Sequence, residues 1–138
     1  MKFIFYRRKR RSSVTKHYLL HKEMARDVVN ERLNYFNQYY GLEWKRVAIR
    51  NQRRCWGSCT ELGNLNFSYK ILFLPAELRD YIIVHELCHL RELNHSKRFW
   101  NLVAETLPDY KERMKYLRQI ELGVVKVPMA RRPYATTR

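Results

Sequence analysis

The chain has 138 residues, enough for one domain, and its 46% apolar and 14% aromatic content can fill a core. No run of about 18 apolar residues occurs, so no membrane-spanning helix is expected, and three cysteines cannot form a fully paired disulfide framework within one chain. The net charge of +15 is unevenly spread: residues 1–22 hold eight Lys/Arg and no acid, while residues 71–95 hold two arginines against four carboxylates.

Met1-Lys2-Phe3-Ile4-Phe5-Tyr6 is too short an apolar run for a signal-peptide core, and its charges follow it rather than precede it. A cytoplasmic protein is expected, and the odd thiol count suits that reducing compartment. Residues 1–16 read as a basic arm. Its Arg7-Arg8-Lys9-Arg10-Arg11 run is self-repelling unless a polyanion such as nucleic acid neutralises it. Thr15 can cap a long helix over 16–40. In it Met24, Ala25, Val28, Val29, Leu33, Phe36 and Tyr40 recur at spacings of three and four, and Gly41 closes it. His17 and His21 are at helical spacing too. Lys16 and Lys22 flank them and no glutamate lies between, so they read as exposed histidines.

Val47 and Ile49 alternate with Arg46, Ala48 and Arg50, which predicts a strand over 44–51. Residues 53–59 read as a loop in which Gly57 permits a close backbone approach or a positive φ. Cys55 and Cys59, with three residues between them, match zinc knuckles poorly and read as free thiols. Glu61-Leu62-Gly63-Asn64 is turn chemistry, and alternation over 65–69 predicts a second strand. The two strands are expected to form an antiparallel hairpin with a long functional loop. Pro75 suits a helix start, and a helix is predicted over 76–93. Asn94 is expected to stop it in a left-handed conformation. Ser96 then caps a helix over 97–106, with Phe99, Trp100, Val103 and Leu107 on its apolar face. Pro108-Asp109 breaks it, a last helix covers 110–122, Gly123 ends that helix, and 124–138 read as a basic tail. The sum is an α+β domain over 17–123: a long N-terminal helix, a small antiparallel sheet, and C-terminal helices.

The 76–93 helix carries His85-Glu86-Leu87-Cys88-His89, the HExxH pattern. Residues four apart on a helix lie about 40° from one another, one turn above the other, so both imidazoles reach one ion. Catalytic zinc takes three protein ligands and leaves a position for water, and His95, on the corner after the helix, is the natural third ligand. Glu86 is the expected general base on the zinc-bound water. Cys88 reads as a small core residue. Arg54 and Tyr81 are oxyanion-donor candidates by residue type. Trp56 is a candidate wall of the cleft. An extended peptide is expected along an exposed edge of the 65–69 strand. Arg54, Trp56, Asn66 and Tyr81 are the candidate substrate-binding residues.

Trp56-Gly57-Ser58-Cys59, Asn64-Leu65-Asn66-Phe67, Pro75, the run from Asp80 to Leu90, Asn94-His95-Ser96 and Phe99-Trp100 follow one another in order. This order resembles the YgjP-like zinc metallopeptidases, relatives of the SprT and WLM proteins, over about residues 25–120. The resemblance implies a zincin-like fold, zinc on His85, His89 and His95, Glu86 as catalytic base, and a peptide or protein substrate. Two departures accompany it. Cys55 stands where related chains carry a basic residue before the Trp-Gly-Ser-Cys run, and the chain is short before its first helix. Two other readings remain open on the residues. One is a zinc-dependent phosphoanhydride hydrolase acting on nucleoside triphosphates. The other is a nucleic-acid-binding module whose structural zinc takes Cys88 or Cys59 as fourth ligand.

Overall fold

A computed structural model describes residues 14–126. The Arg7–Arg11 run and most of the C-terminal tail, on which the polyanion-partner expectation rests, lie outside them. Helix α1 (Lys16–Tyr40) runs as predicted. The Thr15 hydroxyl accepts from the Tyr18 N–H at 3.1 Å, and Gly41, at φ 62°, closes the helix. Ala25, Val29, Leu33, Phe36 and Tyr40 form its buried stripe. At the far end the Tyr40 hydroxyl donates to the Leu102 carbonyl at 2.7 Å. It also lies 2.8 Å from Thr106 Oγ1, which fixes α1 against the helix that carries Leu102.

The sheet departs from the expected hairpin. Strands β1 (Arg46–Arg50), β2 (Gly57–Cys59) and β3 (Asn64–Ser68) lie in the order β1-β3-β2. β1 and β3 are parallel, with Val47 opposite Leu65 and Ile49 opposite Phe67. The antiparallel partner of β3 is β2, with Gly57 opposite Phe67 and Cys59 opposite Leu65. The sheet is therefore mixed. Thr60, Gly63 and Asn64 form the tight turn: Gly63 N–H donates to the Thr60 carbonyl at 3.0 Å, and Gly63 has φ 85°. The turn chemistry at 61–64 thus closes a shorter hairpin than expected. Its first strand has three residues, too few for an alternation signal. A second correction follows. β3 is paired on both sides and offers no free edge to a peptide. Among the described residues the free edges belong to β1 and β2.

A 3₁₀ segment (Tyr69–Phe73) leads to Pro75, which caps α2 (Ala76–His89). Leu78, Tyr81, Ile82, Ile83, Val84, Leu87 and Cys88 are buried, so α2 is enclosed almost all round and is the central element. α1 grips its first half through Arg32, whose Nε and NH2 donate to the two Asp80 carboxylate oxygens at 2.9 and 3.0 Å. α3 (Lys97–Thr106) follows with Ser96 as cap, as predicted, and α4 (Tyr110–Glu121) ends before Gly123 at φ 71°. Arg113 of α4 donates to the Glu77 carbonyl at 2.9 Å, returning α4 to the start of α2.

Candidate metal centre

α2 stops at His89, four residues before the predicted end. No non-glycine residue described has a positive φ, so Asn94 is not the left-handed stop expected of it. The chain tightens instead. Leu90 and Arg91 N–H groups donate to the Leu87 and Cys88 carbonyls at 3.1 Å, an i to i−3 pattern. The Glu92 carbonyl then accepts from His89 Nδ1 at 2.9 Å. In a continuing helix that carbonyl would point toward the C-terminus, away from His89. The early exit makes the corner that returns His95 to the helix face.

His85, His89 and His95 converge. Their Nε2 atoms form a triangle with every side 3.1 Å. A carbonyl only accepts, so the proton of neutral His89 sits on Nδ1 and its Nε2 is a bare lone pair. Burial, with the other two imidazoles adding, lowers the His85 pKa to about 3 and keeps that ring neutral too. Burial likewise lowers His89. Each Nε2 carries at most one proton and His89 has none to give there, so hydrogen bonds cannot fill all three sides. A cation satisfies the three lone pairs together. Three nitrogens on a tetrahedral zinc ion at about 2.0–2.1 Å sit about 3.3 Å apart, close to the observed side. The donor set therefore fits a divalent metal of zinc's kind. Among the described residues no other group of three His, Cys, Asp or Glu side chains converges this way.

The rings are held from behind. Phe99 of α3 stacks on His89 at 4.3 Å between centroids and meets His85 and His95 edge-on at 4.9 and 5.1 Å. Trp100 stacks on His95 at 5.9 Å and on Tyr110 of α4 at 5.1 Å. Phe99 lies four residues after His95, at helical spacing. That spacing is a sequence signal for a role beyond the apolar face of α3. Glu86 is 7% exposed, and burial pushes its carboxyl up to about 7. Gly57 of β2 lies directly on it: a Cβ at Gly57 would sit 2.9 Å from Glu86 Cγ. Of the two reasons for a glycine there, close approach applies.

The other candidates are dispersed. The Tyr81 hydroxyl lies 3.4 Å from His85 Nδ1, the nitrogen facing away from the triangle, which places Tyr81 as support for the ring. Burial pushes its own pKa to about 12. Trp56 is half-buried and donates through Nε1 to Glu121 at the end of α4 at 2.9 Å. Asn66, on central β3, accepts from Arg50 Nε at 2.9 Å. Arg54 is exposed and lines a cleft before β2. Neither cysteine named as a fourth ligand joins the triangle. Cys59 is directed to the Thr60 carbonyl, while Cys88 is buried, which raises its thiol to about 12. His17 and His21 form a separate cluster with Tyr69 and Phe73; His17 Nδ1 lies 2.8 Å from the Tyr69 hydroxyl and His21 Nδ1 2.8 Å from the His17 carbonyl.

The sequence pattern of the YgjP-like metallopeptidase domain matches residues 7–120. The chain belongs to the YgjP-like metallopeptidase family. No curated protein matches it. Among solved structures, the metallopeptidase zymogen abylysin of Pyrococcus abyssi is similar in fold, with a TM-score of 0.60 and 26% identity. That match covers 69% of this chain and 95% of abylysin. A YgjP-like metallopeptidase domain implies a bound metal and a peptide or protein substrate, and the imidazole triangle is where its described residues can hold the metal. No helix among them is long and apolar enough to cross a membrane.

Proposed function

We propose that the protein is a zinc-dependent peptidase of the HExxH type, with His85, His89 and His95 as ligands and Glu86 as general base. The observation that carries this reading is the 3.1 Å Nε2 triangle beside a buried carboxylate on the same helix. Zinc, when bound, polarises a substrate carbonyl and acidifies a water molecule to near neutral pH. Glu86 takes the proton from that water and delivers it to the leaving amine. Its enclosure favours this role, because a carboxyl raised to about 7 both accepts and releases a proton near neutrality. A cation at the triangle opposes that rise and favours the ionised, proton-accepting form. Tyr81 and the Glu92 carbonyl hold His85 and His89 by their outer nitrogens, and Phe99 fixes the ring planes.

The peptide track is the free edge of β2. Trp56 accepts from Ser68, and Thr60 donates to Asn64, which sets the alternation of the β2–β3 ladder. Gly57 and Cys59 therefore turn their N–H and C=O groups away from β3. A peptide added there takes main-chain hydrogen bonds from the residue that abuts Glu86. The catalytic unit is 17–123, between a basic arm over 1–16 and a tail over 124–138. The unpaired Cys55, Cys59 and Cys88 suit the cytoplasm.

Glu86→Gln tests the reading. The variant keeps stoichiometric zinc by elemental analysis and loses cleavage of an unstructured protein by at least about 100-fold. Full activity in that variant removes Glu86 from the chemistry. Phosphate release from nucleoside triphosphates, measured on the same wild-type sample, separates peptide from phosphoanhydride hydrolysis.

A further inference from the structure

A cleft of about 350 Å³ opens just before β2, and Arg53, Arg54 and Lys70 contribute three cations to its lining. The carboxylate in the lining, Glu121, accepts from the Trp56 indole through Oε1. The ion pairs among the described residues join Arg26 to Glu23, Arg32 to Asp80 and Arg113 to Asp109, so none neutralises the cleft. Gln52 adds an amide to the same wall. Three cations against one carboxylate leave the concavity net positive and able to take an anion, and the arginine guanidinium is shaped for a planar carboxylate.

The location decides which anion. Trp56, in the cleft wall, is followed directly by Gly57, which lies on Glu86. Arg54 is three residues from Gly57 and so within about 11 Å of it. A strand on the β2 edge advances about 3.3 Å per residue, so a side chain two or three residues from the bond at Glu86 arrives at the cleft. We infer that this cleft is a specificity subsite for a carboxylate of the peptide substrate, an Asp or Glu side chain or the chain terminus, a few residues from the scissile bond. The inference rests on the peptidase reading and adds the chemistry of the substrate to it.

The test is a set of unstructured peptides carrying a single Glu, Gln or Lys at each position from three before to three after the cleaved bond, with free and amidated C-termini. At one position Glu should exceed Gln by about 10-fold in kcat/KM, and the preference should shrink with added salt. If the chain terminus is the source, amidation rather than the Glu/Gln exchange produces the loss. Arg54→Glu and Lys70→Glu, both at exposed positions, should turn the preference toward Lys. Binding of labelled Glu and Gln peptides to zinc-loaded Glu86→Gln protein, read by fluorescence anisotropy, gives the same ratio without turnover. Cleavage of Glu, Gln and Lys peptides at equal rates, with no loss on amidation, overturns the subsite and leaves the peptidase standing. Glu-selective binding with no cleavage of any peptide by wild type supports the subsite and overturns the peptidase. Inorganic phosphate binding more tightly than the Glu peptide overturns the carboxylate assignment.

Discussion

Gly57→Ala reaches Glu86, the proposed general base, from strand β2. The added methyl would lie 2.9 Å from Glu86 Cγ, 3.1 Å from the Asn66 carbonyl oxygen and 3.2 Å from Phe67 Cδ1. Carbon pairs rest at about 3.5–4.0 Å, so the first contact alone demands a shift of about 0.6–1.1 Å. The carbonyl belongs to central β3 and Phe67 is fully buried, so neither yields readily. The Glu86 side chain is the softest of the three and takes most of the displacement. A 1 Å misplacement of a catalytic group costs up to about 100-fold in rate. We therefore expect kcat/KM to fall about 10- to 100-fold, with an overpacking cost of about 1–3 kcal/mol in stability. Peptide cleavage, zinc content and urea unfolding on one preparation supply the readouts. Zinc stoichiometry should be unchanged, because the methyl's three nearest neighbours belong to Glu86, Asn66 and Phe67. Full activity in a folded Gly57→Ala protein would refute the contact between strand and base, and so would a loss of activity that tracks lost metal.

Three further outcomes follow from the same geometry. Phe99→Leu keeps an apolar side chain but removes the ring face that touches all three imidazoles; zinc affinity should fall about 10- to 100-fold in a chelator competition, and wild-type affinity would contradict the supporting role. In chelated protein His85, lowered from its ordinary 6.5 to about 3, contributes stability that is complete above pH 6.5 and lost as pH falls toward 3. Glu86, raised from 4.5 to about 7, contributes the opposite: stability complete below pH 4.5 and lost as pH rises through 7. Glu86 offsets His85 between pH 4.5 and 6.5, while His89, also lowered by burial, weakens both proteins as pH falls, so chelated Glu86→Gln should lose more stability than chelated wild type between pH 6.5 and 4.5, as urea midpoints across pH would record. Arg32→Ala breaks the two-pronged pair with Asp80, whose partners are 31% and 20% exposed; it should cost about 1 kcal/mol in urea unfolding without changing zinc content.

The helices were readable because their signals are local. Thr15 with Gly41 and Ser96 with Pro108 announce two helices almost to the residue. The sheet was not, because pairing is a long-range choice. A three-residue strand gives no periodicity, and nothing in residues 44–51 says whether they meet β3 parallel or antiparallel. Within the candidate site, the i, i+4 spacing put His85 and His89 on one face, but the route that brings back His95 was misread. Asn94 looked like the stop, whereas the His89 side chain, by taking the Glu92 carbonyl, helps end the helix that carries it. The Trp56–Glu121 bond spans 65 residues and has no sequence signature at all.

Moving the free edge from β3 to β2 changes what the short strand is for. On the expected hairpin, the Trp-Gly-Ser-Cys segment was a loop beside a peptide track laid elsewhere. In the observed sheet the last three of those residues, Gly57 to Cys59, carry the edge proposed for the peptide, the backbone that lies on Glu86, and the approach to the cationic cleft. A glycine is required at the contact, because any side chain there would occupy the space of Glu86. A strand this short gains little stability from its own ladder, so it must be held at its ends. Trp56 does this on one side through Glu121 of α4, and the Thr60–Asn64 turn does it on the other. α4 reaches the site by that bond and by Tyr110 against Trp100. It thus braces both the β2 edge proposed for the peptide and the His95 ring while lying outside the HExxH motif.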